Sequence, residues 1–213
     1  MRSNNAIFHY GMDTIFQIII LIMSVVVHEV SHGFAALMQG DKTAEYQGRL
    51  TLNPIKHLDL FGSILLPLFL AVTNAGFIIG WAKPVPFNPY NLRNQKWGES
   101  IVAAAGPLSN LILAIVFGLI IRFGYGYLPV SFLSIAMVVV IINLVLAVFN
   151  LVPIPPLDGS KILFSLLPSR FNFIRQNFEK YSLVVLLIFI FFFWQFITPV
   201  VYWLFAIITG ISA

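Results

Sequence analysis

The residues best placed by type and spacing to do chemistry are His28, Glu29 and His32, in the string HEVSH. On a helix, positions four apart share a face, so both imidazoles can reach one metal ion. Glu29 lies beside them, where it can take a proton from a water held by that metal. This is the His-Glu-x-x-His arrangement of zinc hydrolases, with glutamate as general base. The string sits in an apolar run, with no charge from Thr14 to Val27 and none from Val30 to Gly40. A charge at the centre of a membrane helix costs ~2.5–3.5 kcal/mol on insertion scales. A polar helix–helix contact is the plainer reading. It accounts for one such residue, not for three at metal spacing.

A catalytic zinc needs a third protein ligand and keeps one position open for water. The other histidines are His9, near the start of the chain, and His57, in a polar stretch. Asp13, Asp41, Glu45, Asp59, Glu99 and Glu179 lie mostly in polar surroundings beside Lys or Arg and read as solvated or interfacial charges. Asp158 differs, because it follows a long apolar run and three prolines in VPIPPLDG. Irregular backbone at membrane depth is tolerated only when it lines a cavity or is buried in protein. Such a segment could bring in a carboxylate as third ligand. An N-cap role for Asp158 is the plainer alternative, and it is compatible with ligation.

These residues must be positioned by membrane helices. Of the 213 residues, 59% are apolar and only 9% charged, against ~25% charged in ordinary soluble domains. That excludes disorder and argues against a soluble enzyme. The absence of cysteine excludes disulfides, thiolate zinc sites and a cysteine nucleophile. The net charge of +4 has no compact basic patch, so no nucleic-acid partner is expected. No small-residue cleavage site follows the first apolar run, which is expected to be retained. Spans are expected near 12–38, 100–121, 132–151 and 181–211, the last holding Thr198-Pro199 and forming either one long kinked span or two shorter pieces. The breakers across 60–90 predict a re-entrant or extended element there. The expected architecture is an all-α polytopic membrane protein: one transmembrane domain, 1–213, a helical bundle with a re-entrant or extended membrane loop.

Topology gives an independent check. If Asp158 is to meet His32, the C-terminal ends of the first span and of the span ending near Leu151 must face one side. Two crossings between them satisfy this, provided that 60–80 does not cross. Lys42, Arg49, Lys56, Lys83, Arg93, Lys96, Lys161, Arg170, Arg175 and Lys180 then share that side, leaving only Arg2 and Arg122 opposite. The positive-inside rule makes it the cytoplasmic side. A plasma-membrane protein with its site nearer the cytoplasm is expected.

Together these motifs resemble the site-2 protease family of intramembrane zinc metalloproteases. HEVSHG (28–33) is similar to the family's zinc-binding helix, and NLVPIPPLDG (150–159) fits its second signature at every fixed position. GWAKPVPFNP (80–89) resembles its membrane-embedded loop, and AGPLSN (105–110) the start of its next core helix. The resemblance implies one zinc per chain on His28, His32 and Asp158, with Glu29 activating water. Asn150 would hold the substrate carbonyl as charge develops, a role a buried amide at the end of a span can fill. It further implies a transmembrane protein or peptide substrate, cleaved within or next to its membrane segment. Lys83, Pro84, Val85 and Pro86 are the residues expected to pair with the unwound substrate by β-addition. The chain leaves no room for the PDZ-type domain of many family members, so a small, core-only version is expected. Asn143, two turns before Asn150, is read as a helix–helix contact.

Two other functions use the same residues. An ion or metal transporter could use the His/Glu/Asp cluster as its pathway, and a catalytically silent scaffold could share the fold. Substrate identity, oligomeric state and gating are not written in these motifs.

Overall fold

The computed structural model describes residues 3–73, 81–168 and 171–211. Helix α1 (Ser3–Met38) leads to a one-turn helix α2 (Thr43–Tyr46), a 3-10 turn (Pro54–His57) and a π-type stretch (Leu60–Leu65) that continues into α3 (Leu66–Val72). After an extended segment come α4 (Gly98–Gly124), α5 (Val130–Asn150), α6 (Asp158–Leu166), α7 (Asn172–Lys180) and α8 (Ser182–Thr209). Among the described residues there is no strand. Four helices are long and apolar enough to cross a bilayer: Ile15–Met38 within α1, and α4, α5 and α8. The 27 residues of α4 reach about 40 Å, beyond the ~30 Å hydrocarbon core. The chain is an all-α multi-pass membrane protein.

The apolar core lies between α4, α5 and α8. Ala114 and Ile121 of α4 meet Leu133, Ala136, Val140 and Leu144 of α5 and Ile197, Val201 and Phe205 of α8. Membrane helices gain little from burying apolar surface, so small residues that admit close backbones drive the packing. Ala114 and Ala136 serve that purpose. The other side of α4 and α5 receives α1, where Ser24, His28 and His32 are buried one turn apart on a single face.

Of the two forms open for the last apolar run, one span or two pieces, the structure has one: α8 continues through Pro199. Neighbouring helices and local adjustment tolerate the lost N–H in a membrane. Only the second half of α8 packs closely, while Phe191, Phe192, Phe193 and Phe196 are exposed. The helical stretch 60–72 would span about 20 Å, less than the hydrocarbon thickness. Its continuation, 74–80, lies outside the described residues, so the expectation of a re-entrant element falls partly on them.

Candidate metal centre

The paired histidines need a neighbouring helix that yields both space and hydrogen-bond acceptors, and α4 supplies them. A side chain at Gly106 would place its Cβ 2.5 Å from His32 Nε2 and 2.6 Å from His28 Cε1. Only glycine lets the imidazoles lie against α4. Pro107, inside the helix, has no N–H for the Ala103 carbonyl and loosens that turn. The adjacent Val102 carbonyl accepts from His32 Nδ1 at 2.7 Å. One turn further on, Asn110 Oδ1 lies 2.6 Å from His28 Nδ1.

Asp158 arrives from the opposite direction. The proline-rich turn after α5 ends at Leu157, the N-cap of α6, and Asp158 is the first residue of that helix. It therefore does not act as the cap. A Cβ on Gly159 would come within 2.2 Å of the Leu151 carbonyl oxygen. The Asp-Gly pair thus lets the first turn of α6 press against the end of α5, delivering the carboxylate to α1.

The result is a buried triangle of donor atoms. His28 Nε2 and His32 Nε2 are 3.1 Å apart, and Asp158 Oδ2 lies 3.1 Å from the first and 3.2 Å from the second. Tetrahedral zinc with bonds of ~2.0–2.1 Å separates its ligand atoms by about 3.3 Å, so the triangle fits. The tautomers fit as well. Both Nδ1 atoms face oxygen acceptors and carry the hydrogen, which leaves an Nε2 lone pair on each ring directed at the carboxylate. Three converging electron-pair donors call for a cation. Among the described residues these three form the one group of His and carboxylates able to hold a metal.

Glu29 lines the same cavity, and its Oε2 accepts from the Val85 N–H at 2.8 Å. The cavity is partly open and has a volume of about 160 Å³, too little for an intact helix about 10 Å across. Asn150 also lines it, with Nδ2 donating to the Leu146 carbonyl at 2.9 Å. That bond uses one of its two amide hydrogens.

Of the four expected substrate-loop residues, Pro84 and Val85 line the cavity, whereas Lys83 and Pro86 do not. Phe87 and Lys161 join the lining instead. Lys161 Nζ sits 3.7 Å from Asp158 Oδ1 and 5.7 Å above the Phe87 ring, tying α6 to the loop.

One residue departs from its expected surroundings. Asp41, read from its neighbours as a solvated charge, is buried. It accepts from the Thr43 N–H and hydroxyl, the Asn88 N–H and the Asn91 amide. Burial alone would raise its pKa, but these donors outweigh it and hold the carboxyl below its ordinary range. His57 is buried and hydrogen-bonded, with Nε2 on the Thr51 carbonyl at 2.8 Å. Asn143 makes the expected interhelical contact, accepting from Asn110 Nδ2 at 2.8 Å and donating to Ser24 Oγ at 2.9 Å. The sequence motifs give no single-residue role to Asn110, Gly106 or Val102. For Asn110 there was a signal: it is a lone amide in a long uncharged run, stranded as Glu29 and Asp158 are.

A polytopic helical bundle with a buried His-His-Asp triangle and an adjacent glutamate is the architecture of a membrane metallopeptidase. The chain belongs to peptidase family M50, the site-2 protease family, whose model matches residues 16–131 and 128–193. It is 40% identical over 191 residues to "Putative zinc metalloprotease YwhC" of Bacillus subtilis (strain 168), covering 86% of this chain and 81% of that protein. It is 35% identical over 139 residues to "Putative zinc metalloprotease Rip2" of Mycolicibacterium smegmatis, covering 65% of this chain and 52% of that protein. It is 26% identical over 180 residues to "Zinc metalloprotease MJ0392" of Methanocaldococcus jannaschii, covering 80% of this chain and 41% of that protein. No solved structure matches the chain.

Proposed function

We propose that the chain is a zinc-dependent intramembrane endopeptidase, hydrolysing peptide bonds within or next to the transmembrane segments of other membrane proteins. The observation that carries this reading is the convergence of His28 Nε2, His32 Nε2 and Asp158 Oδ2 within 3.2 Å of one another, beside Glu29. Membership in a peptidase family and the names of the relatives support it.

When bound on His28, His32 and Asp158, zinc would supply Lewis acidity, polarising a substrate carbonyl and lowering the pKa of a water toward ~7. Glu29 accepts a proton from water and later returns it to the leaving amine. The Val85 N–H on Oε2 fixes the carboxylate and leaves Oε1 for that proton. Asn150 donates its second amide hydrogen to the carbonyl oxygen as it gains charge. A cavity of about 160 Å³ admits the scissile region only unwound, and the extended loop supplies main-chain partners for it. The partners are therefore the bilayer and a transmembrane protein or peptide. The bias of basic residues supports a site toward the cytoplasm, and the proposed location is the plasma membrane.

Co-expression of wild type and Glu29→Gln with single-span proteins tests this. Wild type is expected to release a fragment, and Glu29→Gln none; identical patterns from both would end the protease reading. Metal analysis tests the ligands separately: His28→Ala and Asp158→Ala should each lose zinc.

A further inference from the structure

The segment between α1 and α3 buries three polar side chains that the proposed chemistry does not use: Asp41, Arg49 and His57. Arg49 is the unusual one. A guanidinium cannot shed its charge and is expensive to bury without partners. Among the described residues no carboxylate forms an ion pair with it. Its partners are main-chain carbonyls. Nη1 donates to that of Lys56, and Nη2 to those of Lys83 at 2.7 Å and Pro84 at 3.2 Å. Two of the three belong to the extended loop beside the cavity.

The same loop is held at further points. The Lys83 N–H donates to the His57 carbonyl at 2.9 Å, and the Asn88 N–H to Asp41 Oδ2 at 2.7 Å. Pro84 and Pro86 have no N–H, and the Val85 N–H is on Glu29. Both main-chain groups of Lys83 and the carbonyl of Pro84 are thus engaged away from the cavity. On the stretch lining the cavity, that leaves the Val85 carbonyl and the main-chain groups of Phe87. Among the described residues no partner holds these groups, and Val85 and Phe87 both line the cavity.

We propose that Arg49 is a positioning residue that sets the register of the substrate. By gripping the Lys56, Lys83 and Pro84 carbonyls together, it leaves Val85 C=O and Phe87 N–H as the pairing edge, and so fixes which substrate bond reaches Glu29. This rests on the endopeptidase reading above and deepens it. Lysine carries a point charge without the planar fork, and its single ammonium does not span the three carbonyls. Arg49→Lys therefore restores the charge without restoring the register.

The test uses full-length protein in detergent or nanodiscs, comparing wild type, Arg49→Gln and Arg49→Lys. Zinc content, kcat/KM, cleavage position by mass spectrometry and amide exchange across 82–90 are measured. The expected result is full zinc content in all three. Arg49→Gln should lose about a hundredfold in kcat/KM, and both variants should cut at several neighbouring bonds where wild type cuts at one. A variant with merely reduced stability would slow cleavage without scattering it. A single wild-type cleavage site in both variants overturns the proposal, and so does unchanged amide exchange across the loop in Arg49→Gln. If exchange rises in Arg49→Gln while wild type cleaves nothing, the endopeptidase reading falls and the grip of Arg49 on the loop stands.

Discussion

Asn110 Oδ1 lies 2.6 Å from His28 Nδ1, and this contact decides which nitrogen of His28 faces Asp158. The orientation is forced along a chain of side chains. The Val139 carbonyl can only accept, so Asn143 turns Nδ2 toward it and toward Ser24. Asn143 Oδ1 then accepts from Asn110 Nδ2, which turns Asn110 Oδ1 toward His28. The Nδ1 there carries the hydrogen, and Nε2 is left with its lone pair. Polar partners behind a metal ligand are worth about 10–100-fold in affinity.

Asn110→Leu should accordingly weaken zinc binding by about 10–100-fold, measured by competition with a chelator on the purified protein. Asn110→Asp keeps an acceptor for Nδ1 but sets its other oxygen against the Asn143 and Ser24 oxygens, so it should hold zinc more tightly than Asn110→Leu and less tightly than wild type. Equal affinity in all three would remove the amide from any role in ligand orientation.

Gly106→Ala separates the helix from the site it carries. Alanine favours a helix over glycine by about 1 kcal/mol, so α4 itself should gain. The added methyl, however, would sit 2.5 Å from His32 Nε2. Helicity by circular dichroism should be retained while zinc content falls. Full zinc occupancy in Gly106→Ala would show that the rings have room to move.

Asp41 gives the loop anchor a pH dependence of known sign. Its folded pKa is depressed by the donors from Thr43, Asn88 and Asn91. The stability it contributes is therefore complete above its unfolded value of about 3.9 and is lost as pH falls through the lower folded value. Wild type should lose thermal stability at the acid end of that window. Asp41→Asn should be less stable at neutral pH and lack that acid-dependent loss. Parallel melting curves for the two proteins from neutral pH downward would contradict this.

The chemistry was legible where a polar residue stood out from an apolar run, as His28, Glu29, His32 and Asp158 do. The even number of crossings between the first span and Asp158 agrees with the observed meeting of α1 and α6. Contacts that depend on the rotation of one helix against another were not legible, which is why Asn110 was passed over. Main-chain donors carry no side-chain signal either, so the Val85 N–H on Glu29 could not be anticipated. Asp41 was misjudged because its sequence neighbour is Lys42, whereas its partners at Asn88 and Asn91 lie 47 and 50 residues away. Within the expected loop the sequence does not separate Pro84 and Val85, which line the cavity, from Lys83 and Pro86, which do not, because the Arg49 contacts that hold the stretch lie 34 and 35 residues away along the chain.

The wide separation of His28 and Asp158 along the chain, 130 residues, bears on biogenesis. During synthesis the two histidines enter the membrane with the first helix, long before the carboxylate that completes their triangle has been translated. Between those events α4 and α5 must insert, bringing Asn110 and then Asn143 to order the ring of His28. On the proposed reading, a half-made chain holds only two of its three ligands and captures metal poorly. Hydrolytic power then appears only once the bundle has closed, a safeguard for the membrane in which the enzyme is made.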